Sequence, residues 1–189
     1  MIIIKKRLRP VIAIAAILLV TILLLHNQGR LWFCSCGRLL IWVGDICSSD
    51  SSQHLLDPYT FTHMLHGVAF YGLLSWLVPK IPLNWRLCLA VLMEAVWEVV
   101  ENSEFVINRF REVTAALGYH GDTIINSLSD IAACAVGFMI ARRLGLWRSV
   151  ALFVVTEVVL AIWVRDSLLL EVLMLLHPIE AIKAWQMCP

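Results

Sequence analysis

Residues 11–25 read VIAIAAILLVTILLL, and the basic stretch KKRLR at 5–9 precedes them. A helix that crosses a bilayer needs about 20 mostly apolar residues, and basic residues accumulate at its cytoplasmic end. A signal peptide has the same layout, but the polar stretch HNQGR at 26–30 follows this run without a small-x-small cleavage pattern. We therefore interpret residues 11–25 as an uncleaved membrane anchor.

The composition of the whole chain agrees with this interpretation. The 189 residues are 60% hydrophobic and 15% charged, with a mean hydropathy of +0.82. Soluble domains are about half apolar and about a quarter charged, so a water-soluble chain of this size could not enclose so many apolar side chains. The balance of 15 basic and 14 acidic residues argues against a nucleic-acid binder. We predict one integral membrane domain over residues 1–189.

The apolar segments predict an all-α, polytopic transmembrane helix bundle with about five spans. The expected spans are 11–25, 61–78, 87–107, 124–141 and 149–164. A further apolar stretch at 167–176 is too short to cross the membrane and ends at His177-Pro178. It is expected to be a re-entrant or interfacial helix, and a sixth span with a proline kink stays open.

The basic residues outside the spans indicate the orientation. With the N-terminus in the cytoplasm, nine basic residues face the cytoplasm and six face the other side, and Arg142-Arg143 contribute to this bias. The loop 26–60 is then outside the cell membrane, where disulfides form. In that loop Cys47 could pair with Cys34 or Cys36, the cysteines could stay free, or Cys34 and Cys36 could do metal or redox chemistry.

Polar side chains occur within the spans, where they are costly and therefore face a protein interior or a water-filled cavity. His63 and His66 lie three residues apart and share one helix face. Polar stripes follow in the next two spans: Glu94, Glu98, Glu101 and Asn102; Asp122, Asn126 and Asp130. Arg165 and Asp166 lie at the outer end of the fifth span. These stripes coincide in the outer half of the membrane, and their coincidence predicts a shared polar cavity that opens to the outside.

Imidazole and carboxylate groups together are a ligand set for Zn, Fe or Mn, and they suit a catalytic metal better than a structural one. The candidate ligands are His63, His66, Glu98 and Asp130. The candidate general bases are Glu101 and Asp122, and the expected cavity-lining residues are Glu94, Asn102, Asn126, Arg165 and Asp166. A hydrogen-bonded network that ties the helices together and a proton relay remain open alternatives.

Several motifs also carry a resemblance: HMLHG at 63–67, WEVVEN at 97–102, GYHGD at 118–122 and HPIEAIKAW at 177–185. From about Gly29 onward, the chain resembles an uncharacterised bacterial family of multi-pass membrane proteins, catalogued only as a domain of unknown function. The resemblance implies a location in the bacterial inner membrane. It implies no activity and no site residues.

Three functions therefore compete. The polar cavity favours a metal-dependent hydrolase that acts on a lipid or a membrane-embedded bond, with the lipid bilayer as its partner. Deeper carboxylates, Glu94 and Glu157, favour a proton or solute transporter, although no inverted repeat is visible. In the third function, the chain is an assembly or binding module whose polar network is structural.

Overall fold

The computed structural model describes residues 2–114 and 118–187, with side chains from residue 8 onward. The regular secondary structure of this part of the chain is helical, which confirms the all-α prediction. Its β-structure is limited to an isolated bridge between Trp42 and Leu56. Its eight helices are α1 Ile2–Asn27, α2 Thr60–Leu77, α3 Leu83–Glu101, α4 Glu104–Val113, α5 Ile124–Leu144, α6 Leu146–Trp163, α7 Leu168–Leu176 and α8 Glu180–Gln186.

Three helices in the described ranges are long and apolar enough to cross a membrane: Leu8–Asn27, Ile124–Leu144 and Leu146–Trp163. They coincide with the first, fourth and fifth predicted spans. Helices α2 and α3 occupy the second and third positions, but histidines in α2 and charged side chains in α3 make them less apolar. Five spans are therefore not confirmed. The basic side chains at 5–7, on which the predicted orientation partly depends, lie outside the described residues.

The outer surface of α6 is apolar, as expected of a helix in contact with lipid. Val154, Val155, Val158 and Ile162 are all exposed. The buried residues of the same helix include the charged Glu157. A soluble protein rarely exposes such a continuous apolar surface, so this distribution supports membrane association.

The third predicted span is wrong in one respect, because the helix expected over 87–107 is broken. Helix α3 ends at Glu101, and Ser103 leaves the helical conformation with φ −73° and ψ 148°. The Ser103 hydroxyl then accepts a hydrogen bond from the backbone N–H of Val106 and begins α4 as its N-cap. The break therefore separates α3 from α4.

Helices α2 and α5 cross in backbone contact at two glycines. A Cβ atom on Gly67 would lie 1.9 Å from the carbonyl oxygen of Cys134, and one on Gly137 would lie 1.9 Å from that of Met64. Glycine has no Cβ and therefore permits this close approach of two helices. The crossing brings the histidines of α2 close to the polar stripe of α5.

Helix α7 is held at its N-terminus by a carboxylate from α6. The two oxygens of Glu157 accept hydrogen bonds from the backbone N–H groups of Leu168 and Leu169, each at 3.1 Å. The first turn of a helix leaves its N–H groups unpaired and attracts negative charge. Glu157 therefore fixes the short helix that was expected over 167–176.

The loop between α1 and α2 packs on the start of α5. The backbone N–H of Ile124 donates to the carbonyl oxygen of Leu31 at 2.8 Å, and Gln53 Nε2 donates to that of Gly121 at 2.9 Å. The α5 N-terminus is also capped by Thr123, whose hydroxyl accepts from the Asn126 N–H at 3.3 Å. The loop thus covers the end of the bundle where the polar stripes begin.

Candidate metal centre

Two histidines of α2 share one carboxylate of α3. His63 Nδ1 lies 2.7 Å from Glu94 Oε1, and His66 Nδ1 lies 2.9 Å from the same oxygen. Because a carboxylate accepts, each Nδ1 carries the hydrogen, and each Nε2 of a neutral ring keeps its lone pair. Glu94 is fully buried. It therefore orients both rings, in the manner of a carboxylate behind a metal-binding histidine.

The carboxylates of Glu98 and Asp130 approach His63 from α3 and α5. Glu98 Oε1 lies 3.3 Å from His63 Nδ1, whose hydrogen is already donated to Glu94. Asp130 Oδ2 lies 3.9 Å from His63 Nε2, which is too long for a hydrogen bond. All three groups are buried.

Several buried oxygens of this cluster have no hydrogen-bond partner among the described residues. They are both oxygens of Glu98, Oδ1 of Asp130 and Oε2 of Glu101. Buried polar atoms are nearly always paired, because desolvation without a partner is costly. Unpaired carboxylate oxygens that converge on one histidine need protons or a cation.

A cavity of about 1530 Å³ opens beside this cluster, beneath the loop between α1 and α2. Its polar walls include His63, His66, Glu101, Asp122, Asn126 and Asp130. Apolar side chains also line it, including the exposed Leu92, Val96 and Val100 of α3. The cavity therefore combines a cluster of acids and imidazoles with an apolar wall.

Asp122 is fixed by hydrogen bonds at both oxygens. Asn102 Nδ2 donates to Oδ2 at 2.8 Å, and the Tyr119 hydroxyl donates to Oδ1 at 2.9 Å. Asn102 also accepts the Asp122 N–H at 2.7 Å. Burial raises the pKa of Asp122 above its ordinary value, against the opposing effect of these hydrogen bonds. Asp122 thereby ties its loop to the break after α3.

The remaining residues expected to line the cavity lie in different places. Asn126 and Asp166 line it, whereas Glu94 and Asn102 are fully buried and are not part of its wall. Arg165 is exposed and does not line the cavity. It has a positive φ of 56° and donates to the carbonyl oxygen of Trp185 at 3.3 Å. This contact ties its guanidinium to the C-terminal helix.

Asp166 is held by the C-terminal helix and by the residue before α2. Gln186 Nε2 donates to its Oδ1 at 2.9 Å, and the Tyr59 hydroxyl lies 3.4 Å from its Oδ2. Burial raises the pKa of Asp166 to about 7.

Sequence reasoning missed several polar residues of the cavity wall, among them Tyr59 and Glu171. Glu171 is the single acidic residue of α7, which reads LLLEVLMLL. The rule that an ionisable group in an apolar helix faces a protein interior could have identified it. Tyr59 precedes α2 without a comparable signal.

The cysteines of the outer loop are paired differently from the expectation that Cys47 bonds to Cys34 or Cys36. Cys34 and Cys36 are bonded to each other, with their Cα atoms 5.1 Å apart. A turn closed by the Gly37 N–H and the Cys34 carbonyl oxygen at 3.2 Å brings them together. Their sulfurs also lie near Asp50 and His54, but bonded sulfurs are not the thiolates that a metal requires.

The distances around His63 are compatible with metal binding. Two atoms bound to one ion at about 2.0–2.2 Å each can be no more than about 4.4 Å apart. The 3.9 Å between His63 Nε2 and Asp130 Oδ2 meets this condition. Two overlapping groups share His63 and offer ligand atoms within 4.8 Å of one another, so their widest pairs would have to move closer to bind one ion: His63, His66 and Glu94; His63, Glu98 and Glu101.

Comparison with known proteins finds a family of unknown function, DUF2585, that matches residues 25–188. The chain belongs to the DUF2585 family. It is 44% identical to a UPF0314 protein of Paracoccus denitrificans over 181 residues, which cover 96% of this chain and 94% of the relative. It is 47% identical to one of Rhizobium meliloti over 175 residues, covering 93% and 89%. No solved structure matches significantly.

The donor set of this DUF2585 protein indicates the chemistry available to it. Imidazole and carboxylate ligands without thiolate suit Zn, Fe or Mn. Glu101 lines the cavity beside the candidate ligands and has an unpaired oxygen, so it is placed to exchange a proton with a bound molecule. Asp122 has both oxygens engaged and is less suited to that role.

Proposed function

We propose that this DUF2585 protein is a metal-dependent hydrolase of the bacterial inner membrane that acts on a lipid or another membrane-embedded bond. The observation that carries the proposal is the buried carboxylate of Glu98, which lies close to His63 and Asp130. Neither of its oxygens accepts a hydrogen bond from the described residues. If Glu98 were protonated, its carbonyl oxygen and its new hydroxyl group would both still lack hydrogen-bond partners. A divalent cation shared with the neighbouring ligands satisfies the cluster at once.

In this proposal each residue has a distinct role. His63 would bind the ion through Nε2, the nitrogen that lies 3.9 Å from Asp130 Oδ2, and Glu98 and His66 would be further ligands. Glu94 holds both imidazole rings in the required tautomer. Glu101 is the general base. The ion itself would polarise the scissile bond and lower the pKa of a bound water.

The walls of the cavity support a membrane-derived substrate. The exposed stripe of Leu92, Val96 and Val100 gives an apolar surface for a chain, while Glu101 and His66 lie on the polar side. A lipid has the same division between an apolar chain and a polar group.

We also propose that residues 1–189 form one integral membrane domain with five spans and a cytoplasmic N-terminus. In this arrangement α2 and α3 cross the membrane beside α5. Their polar side chains then face α5 and each other, and lipid contacts their apolar sides. Helix α5 begins at the cavity and carries Arg142-Arg143 in its last turn. The site then faces the outside, at the opposite end from these basic residues.

Two other functions compete with hydrolysis. A transporter needs a polar route to the cytoplasmic side, but Leu74, Ala90 and Phe138 form an apolar cluster toward that end of the bundle. This cluster counts against a transporter. An assembly module is favoured by the hydrogen bonds from both histidines to Glu94, which tie α2 to α3 without requiring a ligand.

Hydrolysis is tested with purified protein, resupplied with Zn, Fe or Mn and incubated with a bacterial lipid extract, whose products are identified by mass spectrometry. The wild type should release a cleaved lipid, and a chelator should stop the release. Glu101→Gln should reduce the rate by at least a hundredfold, as expected for a missing general base. The exposed Glu104→Gln is the matched control and should keep full activity.

Different outcomes separate the functions. A folded Glu101→Gln variant with wild-type activity would contradict the role of Glu101. If no lipid is cleaved and Glu98→Gln and Asp130→Asn only unfold the protein, the network is structural and the assembly module is supported.

A further inference from the structure

The disulfide between Cys34 and Cys36 lies on the wall of the cavity and encloses a single residue, Ser35. A structural disulfide stabilises a fold mainly by restricting the unfolded chain, and this effect decreases as the enclosed loop shortens. A link between residues two positions apart restricts the chain very little. Stabilisation therefore does not account for this bond.

The two sulfurs differ in exposure and in their neighbours. Cys36 is exposed, whereas Cys34 is buried. The backbone N–H of Cys36 donates to Cys34 Sγ at 3.1 Å. A negative charge that develops on Cys34 Sγ would thus meet a hydrogen-bond donor as soon as the disulfide opens.

His54 supplies a second donor, to the other sulfur. It is buried, and the backbone N–H of Leu40 donates to its Nδ1 at 3.2 Å. Nδ1 is therefore the acceptor, so the hydrogen of the neutral ring is on Nε2. Nε2 lies 3.9 Å from Cys36 Sγ and 3.8 Å from Asp50 Oδ2. Each sulfur thus has its own N–H group.

We propose that Cys34 and Cys36 form a thiol–disulfide exchange site for an external dithiol. One thiolate of the dithiol attacks the exposed Cys36 Sγ and forms a mixed disulfide. The bond between Cys34 and Cys36 breaks, and its electron pair goes to Cys34 Sγ beside the Cys36 N–H. A thiolate is a better leaving group when its charge is stabilised.

The second thiolate of the dithiol then attacks the dithiol sulfur of the mixed disulfide. Cys36 leaves as a thiolate that faces His54 Nε2–H. The dithiol is oxidised to its own disulfide, the pair of cysteines gains two electrons, and the two protons lost by the dithiol pass to Cys34 and Cys36. The reverse sequence reduces the disulfide of the oxidised dithiol and restores the bond between Cys34 and Cys36.

Dithiothreitol is the test dithiol. The purified full-length chain is equilibrated with mixtures of reduced and oxidised dithiothreitol, free thiols are alkylated, and the modified cysteines are counted by mass spectrometry. Cys34 and Cys36 should be reduced together in the folded protein. The proposal would be overturned if the disulfide persisted until the protein is denatured. It would also be overturned if oxidised dithiothreitol failed to reoxidise the two free thiols to a disulfide.

His54→Asn tests the proposed donor, because its amide oxygen can replace Nδ1 while nothing reaches the position of Nε2. The equilibrium constant for reduction should fall about tenfold, a shift of about 30 mV for a two-electron couple. The exposed His177→Asn is the control and should leave the constant unchanged. A merely structural role of His54 would change the unfolding temperature but not this constant.

Serine variants test which sulfur is attacked, without depending on His54. With glutathione disulfide as the probe, Cys36 in Cys34→Ser should form a mixed disulfide at least ten times faster than Cys34 in Cys36→Ser, because Cys36 is the exposed sulfur. Equal rates, or a faster Cys34, would overturn the proposed order of steps.

Discussion

The crossing of α2 and α5 offers a sharp test, because one methyl group at Gly67 has no space. Its Cβ would lie 1.9 Å from the Cys134 carbonyl oxygen, and real Cβ contacts are essentially never shorter than 3.0 Å. The helices must therefore separate by at least about 1.1 Å in Gly67→Ala. Overpacking costs about 1–3 kcal/mol, and we expect about 3 kcal/mol because the obstacle is backbone and has no other rotamer.

Gly72→Ala on the same helix is the matched control. A Cβ at Gly72 meets nothing within 4 Å. Alanine within a helix is favoured over glycine by about 0.5–1 kcal/mol, so this variant should be slightly more stable than the wild type. The two variants make the same chemical change but should shift the unfolding temperature in opposite directions.

The assay is thermal unfolding of each purified variant in the same mild detergent, followed by intrinsic tryptophan fluorescence. The displacement also predicts a loss of metal. It would move His63 Nε2 and Asp130 Oδ2 from 3.9 Å toward about 5 Å, beyond the span of two ligands of one ion. A Gly67→Ala variant as stable as Gly72→Ala, with undiminished metal content, would refute the proposed crossing.

Three further predictions concern groups around the site. The native pKa of Asp166 is raised to about 7, so the folded protein keeps this proton over a pH range in which the unfolded chain has lost it. As the pH rises from about 4 to 7, the unfolding free energy of the wild type relative to Asp166→Asn should therefore fall by up to about 1.4 kcal/mol per pH unit. A difference that does not change with pH would contradict this prediction. Glu157→Leu should speed amide exchange at Leu168 at least tenfold, and unchanged exchange would exclude the cap. Tyr119→Phe should lower the unfolding free energy by about 1–3 kcal/mol by removing a donor to Asp122, whereas equal stability would show that this hydrogen bond contributes nothing.

The helical fold could be predicted from the sequence because apolar runs and polar breaks have clear physical causes. The break after Glu101 could not, because Asn102-Ser103 stand between apolar stretches that otherwise continue the helical pattern. A serine that caps α4 looks the same in sequence as a serine within a membrane helix. Only its hydrogen bond to the Val106 N–H distinguishes the two.

The site could be predicted as a group of residues but not by role. Spacing places Glu94, Glu98 and Glu101 on one stripe of α3, and it places His63 and His66 on one face of α2. Which carboxylate meets the histidines depends on how these two helices are rotated against each other. The structure gives that position to Glu94 and leaves the oxygens of Glu98 unpaired.

The metal content of the purified protein tests the central claim most directly. After equilibrium dialysis against Zn, Fe or Mn, elemental analysis should find about one ion per chain in the wild type and in the control Glu104→Gln. Glu98→Gln, checked for folding by its unfolding transition, should retain less than a tenth of that amount. A metal-free wild type, or a folded Glu98→Gln variant that binds as much metal as the wild type, would contradict the proposed metal centre.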